Sequence, residues 1–315
     1  MGDKRITAGA RLLRSAAMTH SPPTPLEESA LRAAEQQAAL PEEARPRFAR
    51  ELLAPVGAHV LAAHARGARV VGIYGARGSG KTTLAQALAA LLTNHTGLRV
   101  AALSLDDFYL KKAHRLRVAE HMHPLFATRG VPGTHDVALL QRTLSVLYGD
   151  VKGSVPVPRF DKARDDRAPD PELVTAPVDL VLLEGWCLGV PPEPPERLLT
   201  AWNAMEESED VGGRFRRCVN YRLAHDYADL ARRVDFLLAL VVDSFELSSR
   251  QRLEQEHALR ARTGEGMSDM EVQAFMQRFE RVSRWGIEVM GARADLAIAI
   301  DDAHLPRTPV PPPAA

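Results

Sequence analysis

The sequence predicts an α/β protein in which a mostly parallel sheet is covered by helices on both faces. Short apolar runs alternate along the chain with longer segments of helical periodicity, an order typical of parallel sheets. A glycine-rich loop also stands between the first apolar run and an Ala/Leu-rich segment, as in a strand–loop–helix unit. The predicted strands are residues 69–74, 98–105, 178–183, 234–242 and 296–300. The predicted helices are residues 83–92, 137–147, 219–232, 245–262 and 268–285.

Two of these helices begin with a capping signal. Thr134 is expected to cap the helix that starts at residue 137, because its side-chain oxygen can accept a hydrogen bond from a free N–H group. Ser268 is followed three residues later by Glu271, which is the capping-box pattern.

The length of 315 residues suits one large α/β domain, which we expect over residues 46–304. An extension over residues 1–45, flexible or helical, precedes it, with helical spacing over residues 26–40. Residues 46–65 form a further predicted helix at the start of the domain. The Pro-rich tail over residues 305–315 has the composition of a disordered segment.

The composition argues against several classes of partner. Forty basic and forty acidic side chains give a formal net charge of zero, so neither a nucleic-acid nor a membrane partner is expected. No apolar run is long enough to cross a bilayer. Cys187 and Cys218 cannot form a disulfide framework or a zinc site alone, which favours a reducing cytoplasm.

The glycine-rich loop carries the strongest functional signal. Residues 75–82 read Gly-Ala-Arg-Gly-Ser-Gly-Lys-Thr, a complete phosphate-binding pattern placed between a strand and a helix. The glycines let the backbone wrap around a polyphosphate, and the helix N-terminus adds the positive end of its dipole. Lys81 is expected to reach the β- and γ-phosphates of ATP, and the Thr82 hydroxyl to hold Mg²⁺. The predicted nucleotide-binding residues are Gly75, Ala76, Arg77, Gly78, Ser79, Gly80, Lys81, Thr82 and Thr83.

Carboxylates follow two of the predicted strands. Glu184 ends the apolar run at residues 178–183, where an acid that helps Thr82 hold Mg²⁺ is expected; the alternative is a strand-end Glu facing solvent. Asp106 and Asp107 follow the second strand, at the edge where open α/β sheets bind ligands. One of them can accept the proton of an attacking hydroxyl, whereas a turn or cap role is the alternative, above all for Asp107.

Cationic side chains are concentrated in two loops and one helix. Arg129 begins a turn-rich segment that ends at His135 and Asp136, and its guanidinium can bind a carboxylate or a phosphate through two hydrogen bonds. A second loop contains Arg159, Lys162 and Arg167, for which a solvated charged loop is an equal alternative. Arg252, on the helix at residues 245–262, is a candidate lid cation for the transferred phosphoryl group, and a solvated helix face is its alternative.

Several segments together resemble the plant-type D-glycerate 3-kinase family, within the P-loop kinase group that includes uridine kinase, phosphoribulokinase and bacterial pantothenate kinase. The most specific are Arg-Gly-Val-Pro-Gly-Thr-His-Asp at residues 129–136 and Leu-Glu-Gly-Trp at residues 183–186. The further matching segments are residues 75–83, 104–110, 157–162, 166–167, 187–189, 219–220 with Tyr227 downstream, 252–253, 266–269 and 271–272. The likeness covers about residues 48–302. Residues 163–166, which read Ala-Arg-Asp-Asp, depart from the family pattern, and the acidic residues 206–213 have the character of a variable insertion.

The resemblance implies a P-loop NTPase-type fold, and ATP and Mg²⁺ as cofactors. It implies that Asp106 is the general base, and that Lys81 and Arg252 act on the transferred phosphoryl group. Thr82 and Glu184 would hold the metal. The residues implied around the acceptor are Asp106, Tyr109, Arg129, His135, Arg159, Lys162 and Arg167.

The sequence therefore predicts an ATP-dependent phosphotransferase that acts on a hydroxyl of a small metabolite, with conversion of D-glycerate to 3-phosphoglycerate as the favoured reaction. A kinase of another hydroxylated metabolite, such as a nucleoside or a pantothenate-like compound, is the nearest alternative. A P-loop NTPase that switches a partner, or a nucleotide-binding protein without catalysis, fits the residues less well, because the expected catalytic side chains are intact. The oligomeric state is not predicted.

Overall fold

The computed structural model describes residues 22–149 and 152–314. Its centre is a five-stranded, wholly parallel sheet in the order β2-β7-β1-β8-β9, which confirms the predicted fold class. Two small two-stranded antiparallel sheets, β3-β6 and β4-β5, lie between the second and third strands of this sheet in chain order. The strands are β1 (Val70–Gly75), β2 (Val100–Ser104), β3 (Gly153–Val157), β4 (Phe160–Asp161), β5 (Asp166–Arg167), β6 (Glu172–Ala176), β7 (Leu180–Gly185), β8 (Phe236–Val241) and β9 (Leu296–Ala299).

Helices cover both faces of the sheet, as expected for parallel strands joined by crossovers. They are α1 (Pro25–Glu35), α2 (Arg45–Arg47), α3 (Ala54–Ala65), α4 (Lys81–Thr96), α5 (Lys112–His121), α6 (Val137–Leu147), α7 (Ala204–Glu209), α8 (Arg214–Arg222), α9 (Ala228–Ala231), α10 (Phe245–Thr263) and α11 (Asp269–Val289). Within the described ranges, none of these helices combines the length and the apolar character needed to span a membrane.

Alternating side chains of the strands build two hydrophobic cores. Val181 and Leu183 of β7 face a core that includes residues of α6, α8 and α11, while Leu180 and Leu182 face a second core with α1, α3 and α4. Successive side chains of a strand point to opposite faces, so a strand buried on both faces is apolar throughout. This explains why β1 and β7 are buried at every position and why the sequence reveals them so clearly.

The register of the parallel strands places the functional segments together. In the pairing of β1 with β7, Tyr74 is opposite Gly185, and in the pairing of β2 with β7, Ser104 is opposite Glu184. The loop after β1, the carboxylate at the end of β7 and the acidic turn after β2 therefore share the carboxyl edge of the sheet.

The predicted helix starts have mixed outcomes. The capping box of Ser268 and Glu271 is present at the start of α11. The prediction for Thr134 is wrong, because the side chain of Asp136 caps α6 by accepting from the N–H of Leu139 at 3.0 Å. Thr134 instead closes the preceding loop, since its hydroxyl accepts from the Gly130 N–H at 3.0 Å and donates to the Val131 carbonyl at 2.7 Å.

Several segments depart from the sequence expectations. Helix α5 and both antiparallel hairpins were not predicted, and the helix expected at residues 219–232 begins earlier, at Arg214, with a π-helical turn at Leu223–Tyr227. In the tail, Leu305 is buried and the Pro311 carbonyl accepts a hydrogen bond from His59 at 2.7 Å, while most of residues 305–314 are exposed; the disorder expected for the tail stays a prediction. The prediction for residues 1–21 lies outside the described residues. The proposed domain boundaries stay a prediction.

Glu206 and Asp210 of the acidic segment after residue 205 are buried, while most of its other residues are exposed. Glu206 is 3% exposed and accepts two hydrogen bonds from Arg281 of α11, at 2.8 and 2.7 Å. Glu193 lies 3.3 Å from the same guanidinium. A buried cation that serves two buried carboxylates joins α11 to α7 and to the loop before it, because each charge alone would be strongly disfavoured there.

Arg281→Ala is expected to lower the free energy of unfolding by about 3–5 kcal/mol, because it leaves two carboxylates buried without their cation. Denaturant unfolding followed by circular dichroism measures this change. Arg232→Ala removes an exposed arginine that pairs with Asp229, and its expected cost is below about 1 kcal/mol. Equal losses in both variants would show that the buried network does not stabilise the fold.

Candidate active site

The phosphate-binding loop joins β1 to α4 in the conformation that the pattern requires. Gly78 and Gly80 have φ angles of 86° and 82°, values that side chains other than glycine rarely adopt. The N–H of Ser79 donates to the carbonyl of Ala76 at 3.1 Å, which closes the turn. The first residues of α4 therefore leave their free N–H groups at the mouth of the loop, where a phosphate can bind.

Lys81, Thr82 and Glu184 meet directly below the loop. The Thr82 hydroxyl donates to Glu184 Oε1 at 2.9 Å, and Lys81 Nζ lies 3.9 Å from Glu184 Oε2. Glu184 is only 4% exposed, so it does not face bulk solvent, contrary to the alternative that the sequence left open for this residue. A hydroxyl and a carboxylate are hard oxygen ligands of the kind that Mg²⁺ prefers.

No cluster of three or more His, Cys, Asp or Glu side chains is positioned to hold a metal ion within the described part of the chain. Protein-bound Mg²⁺ usually takes one or two carboxylates and fills its remaining positions with water and substrate phosphates. Thr82 and Glu184 fit such a site by their chemistry.

Asp106 lies in a short 3₁₀ turn, Leu105–Phe108, directly after β2. Its Oδ1 accepts from the Tyr109 hydroxyl at 3.0 Å, and its Oδ2 lies 3.7 Å from Nη2 of Arg77. His135 Nε2 approaches Oδ1 to 3.8 Å, which is too long for a hydrogen bond. Oδ2 thus keeps its acceptor capacity for a ligand in the cavity.

The surroundings keep Asp106 charged. Burial alone would raise its pKa, but the charges of Arg77 and Lys162 and the neighbouring His135 outweigh burial and hold the pKa well below its usual value. Burial lowers the pKa of His135, which favours a neutral ring, and burial together with Asp106 raises the pKa of Tyr109 well above its usual value. Asp106 is therefore an ionised carboxylate beside a protonated tyrosine.

His135 is positioned from both sides of its ring. One face stacks on Tyr109 with the ring centroids 4.3 Å apart, and Nδ1 is bonded to the hydroxyl of Tyr227. That hydroxyl already accepts from the Gly133 N–H at 3.1 Å, so its proton is available for Nδ1. The contact is compatible with a ring proton on Nε2, on the side of Asp106, when the Tyr227 hydroxyl donates to Nδ1.

Asp107 has a structural role, as the turn alternative for this residue anticipated. Its Oδ1 accepts from the Phe160 N–H at 3.1 Å, and its Oδ2 accepts from Arg159. Arg159 is also paired with Glu172 of β6. Both aspartates line the cavity, but their partners differ, because both carboxylate oxygens of Asp107 are bonded to Arg159 and Phe160, while Oδ2 of Asp106 makes no hydrogen bond with a described residue.

The loop, Asp106 and Glu184 line one cavity of about 780 Å³. The predicted site residues on its wall are Arg77, Gly78, Gly80, Lys81, Thr82, Thr83, Asp106, Tyr109, Arg129, Lys162, Glu184 and Arg252. The predicted residues that do not reach the wall are Gly75, Ala76, Ser79, His135, Arg159 and Arg167. The structure therefore brings most of the predicted site together, but it leaves two of the proposed acceptor arginines outside the cavity.

The cations of the two loops differ in how far they are already neutralised. Arg167 donates to the Tyr109 carbonyl at 2.8 Å and to Asp136 at 3.0 Å, so it holds Tyr109 and the start of α6. Arg129 is paired with Asp165. The ammonium group of Lys162 makes no hydrogen bond or ion pair with any residue that the structure describes. The side chain of Lys162 is exposed as a whole. Partial burial of its ammonium group nevertheless lowers its pKa, and the negative charge of Asp106 partly offsets this effect.

Sequence reasoning missed Arg115, which joins the segments around Leu110, Ala127 and Asp165 beside the cavity. Its side chain is fully buried and donates to the carbonyl of Leu110 at 2.7 Å and to Asp165 at 2.7 Å. Asp165 thus accepts from Arg115 and from Arg129 together. The signal was weak, because Arg115 lies on a helix that is mostly polar and was not predicted.

Helix α10 covers the phosphate-binding loop. The Ser248 hydroxyl donates to the carbonyl of Arg77, and Gln251 is 3% exposed beside Gly78. Arg252 reaches the cavity and pairs with Glu256 at 2.5 Å. Arg250 points elsewhere and pairs with Asp302, as expected for residues that do not share a helix face.

A phosphate-binding loop, a charged aspartate at the carboxyl edge and a basic helix over the loop together define the class of P-loop kinases. No model of a known protein family matches the chain. Individual proteins do match. The uncharacterized kinase mug58 of Schizosaccharomyces pombe is 37% identical over 220 residues, which are 67% of this chain and 78% of that protein.

Two proteins named as glycerate kinases are also similar. The chloroplastic D-glycerate 3-kinase of Arabidopsis thaliana is 33% identical over 67% of this chain, which spans about half (46%) of that longer protein. The solved structure of a D-glycerate 3-kinase from Cryptococcus neoformans is 27% identical and has a TM-score of 0.67, covering 80% of this chain and 96% of that one. The chain belongs to the D-glycerate 3-kinase family of P-loop kinases, and it is a phosphotransferase with a hydroxyl acceptor.

Gly78→Ala is expected to lower the melting temperature and to weaken nucleotide binding. The alanine Cβ would lie 2.9 Å from Cβ of Gln251 and would occupy a left-handed conformation, which costs about 1–3 kcal/mol. Gly264→Ala is the matched control, because Gly264 has a φ of 76° with open space around it. Thermal unfolding and a fluorescent-nucleotide titration compare the two. Similar nucleotide affinity in both variants would contradict the role of Gly78.

Proposed function

We propose that this kinase transfers the γ-phosphate of ATP to a hydroxyl of D-glycerate, which gives 3-phosphoglycerate. The observation that carries the proposal is that one cavity beside the phosphate-binding loop is lined both by the charged Asp106 and by Lys162, whose ammonium group has no hydrogen-bond or ion-pair partner among the described residues. The names of the similar glycerate kinases support the choice of acceptor. With its two free cysteines, Cys187 and Cys218, the chain suits a reducing cytoplasm, which we propose as its compartment.

Asp106 acts as the general base in this proposal. Its free Oδ2 accepts a hydrogen bond from the attacking hydroxyl and takes the proton as the new O–P bond forms and the bond to the leaving ADP oxygen breaks. Tyr109 holds the other carboxylate oxygen, so the base keeps one orientation. Lys81 neutralises charge on the β- and γ-phosphates. Mg²⁺, when bound, supplies further neutralisation of phosphate charge, and Thr82 and Glu184 would hold it.

Lys162 binds the carboxylate of the acceptor. A small anionic acceptor needs a cation at a fixed place, because few other contacts can orient its hydroxyl. Arg159 is a weaker candidate than Lys162, since two carboxylates already neutralise it outside the cavity. Arg129 lines the cavity and can add a second donor, although Asp165 shares its charge. The roles of His135 and Arg167 are to support Tyr109 and the base.

An acceptor panel tests the proposed reaction. D-glycerate, L-glycerate, glycerol, pantothenate and uridine are each supplied with ATP and Mg²⁺, ADP release is measured, and the products are identified by NMR. Turnover of D-glycerate with 3-phosphoglycerate as product is expected. Glycerol has the same carbon chain without the carboxylate and is expected to be a poor acceptor. Efficient phosphorylation of uridine or pantothenate without activity on glycerate would refute the proposal.

Asp106→Asn is expected to lower kcat by about 10²–10⁴-fold while the KM for ATP changes little, because the amide keeps the shape and loses the proton acceptor. Steady-state kinetics on folded protein measures the effect. Asp107→Asn is the matched control and is expected to keep kcat near the wild-type value, since Asp107 binds Arg159 and Phe160. The opposite order of losses would reverse the two assignments.

Lys162→Met is expected to raise the KM for D-glycerate by at least about tenfold, which corresponds to the loss of one charge-assisted contact of about 1.4 kcal/mol. The KM for ATP should hardly change. Arg159→Met removes a cation that is already neutralised, so its effect on the glycerate KM should be smaller. If the ATP KM rises instead, Lys162 binds the nucleotide and the acceptor carboxylate must be met elsewhere.

A further inference from the structure

Arg77 occupies an unusual environment for a residue of a phosphate-binding loop. Phosphate is bound by the backbone N–H groups of such a loop, so the side chain at this position is not needed for that purpose. Nevertheless, the guanidinium lies 3.9 Å from the ring centroid of Phe279 and 5.7 Å from those of Trp186 and Phe275. Its Nη2 donates to the Tyr109 hydroxyl at 3.1 Å.

We propose that Arg77 is a positioning residue that holds the charged carboxylate of Asp106 in its working orientation. This inference rests on the proposed function, in which Asp106 is the general base. Arg77 acts in two ways. Its guanidinium lies 3.7 Å from Oδ2 of Asp106, and it also donates to Tyr109, which in turn donates to Oδ1 at 3.0 Å. Arg77 therefore acts on Oδ2 through its charge and on Oδ1 through the Tyr109 hydroxyl.

The other groups that face Asp106 cannot replace this charge. Tyr109 is a neutral donor, His135 is buried and neutral, and the buried thiol of Cys187 is also uncharged, because burial and the charge of Asp106 raise its pKa. Lys162 is charged but lies in the open cavity, where an anionic acceptor would share it. An arginine guanidinium stays protonated at all relevant pH values. Among the groups that face Asp106, Arg77 therefore keeps its positive charge across the pH range of the assay.

The aromatic residues around Arg77 fix its position. Phe279 and Trp186 are 0% and 1% exposed, and their rings meet edge to face. Phe279 packs directly on Gly130, where any added Cβ would collide with its ring, and Trp186 donates to the Gly130 carbonyl at 3.2 Å. Because the Phe279 ring is buried and cannot move freely, the cation–π contact with this ring fixes the position of the Arg77 guanidinium. The base is thereby linked to α11 through Arg77.

The test compares neutral and cationic replacements of Arg77. Arg77→Gln and Arg77→Met remove the charge, and Arg77→Met retains an apolar stem against Phe279. Arg77→Lys keeps the positive charge but loses the planar guanidinium that donates a hydrogen bond to the Tyr109 hydroxyl. Arg250→Gln, at the exposed pair with Asp302, is the matched control. For each variant that is folded by circular dichroism, kcat and KM are measured across pH with saturating ATP and Mg²⁺.

In the neutral variants, the acidic limb of the kcat/KM profile is expected to move to higher pH by about one unit or more. The sign follows from the depressed pKa of Asp106, because removal of a nearby cation raises that pKa and the base is protonated at a higher pH. The KM for ATP should stay within about twofold, since the loop backbone is unchanged. Arg77→Lys should keep the acidic limb of the kcat/KM profile near its wild-type pH, because the charge is retained. It should still lower kcat, because the hydrogen bond to Tyr109 is lost.

An NMR titration separates this inference from the proposed function. With ¹³Cγ-labelled aspartate and assignment by the Asp106→Asn variant, the carboxyl pKa of Asp106 is read without turnover. Inactivity of the wild type on glycerate would refute the acceptor, while a raised Asp106 pKa in Arg77→Gln or Arg77→Met would still support the role of Arg77. An unchanged pKa in the neutral variants, or an equal shift in Arg77→Lys, would overturn the inference.

Discussion

The parallel pairing of β1, β7 and β2 is the constraint on which the site depends. Ser104 and Tyr74 stand opposite Glu184 and Gly185, so three strands end at one edge and deliver three different chemical groups there. A parallel strand needs a crossover to return, and the crossovers take the intervening helices to the faces of the sheet. The carboxyl edge therefore remains free for ligands. The phosphate-binding loop, the oxygens of Thr82 and Glu184, and Asp106 are neighbours because the strands that precede them end at this edge.

Charge compensation then decides which side chains can serve a ligand. Asp165 accepts from Arg115 and Arg129, Asp136 from Arg167, and Asp107 from Arg159. These pairs join the loops before α6 and after β3 into a scaffold, whose members are largely neutralised. An ion pair of this kind is weak evidence that the fold is more stable. It does show that the charge of the arginine is already compensated by a carboxylate of the protein. A cation without a partner in the cavity, such as Lys162, is then the better candidate for an anionic acceptor.

The same distinction explains what could be predicted from the sequence. The strand–loop–helix unit and Glu184 were visible because their signals are local and the strands are apolar on both faces. The partners of Arg129 and Arg159 were not visible, since Asp165 and Asp107 lie 36 and 52 residues away in the chain. Arg159 and Lys162 are near neighbours of similar charge, and only the fold of the β4–β5 hairpin separates their surroundings. The wrong cap prediction at Thr134 has a different, local cause, because the Thr134 hydroxyl and the Asp136 carboxylate are both suitable caps and lie two residues apart.

The two long helices at the end of the chain connect the nucleotide side of the site with the acceptor side. Helix α10 contacts the loop backbone through Ser248 and Gln251, and α11 contacts the side chain of Arg77 through Phe279. Helix α10 thus binds the carbonyl of Arg77, and α11 contacts its guanidinium. The charge of the guanidinium faces Asp106. These contacts connect the loop backbone, the helical pair and the surroundings of Asp106. Such a connection suits the proposed reaction, in which a base at Asp106 is useful only when the phosphate donor is in place.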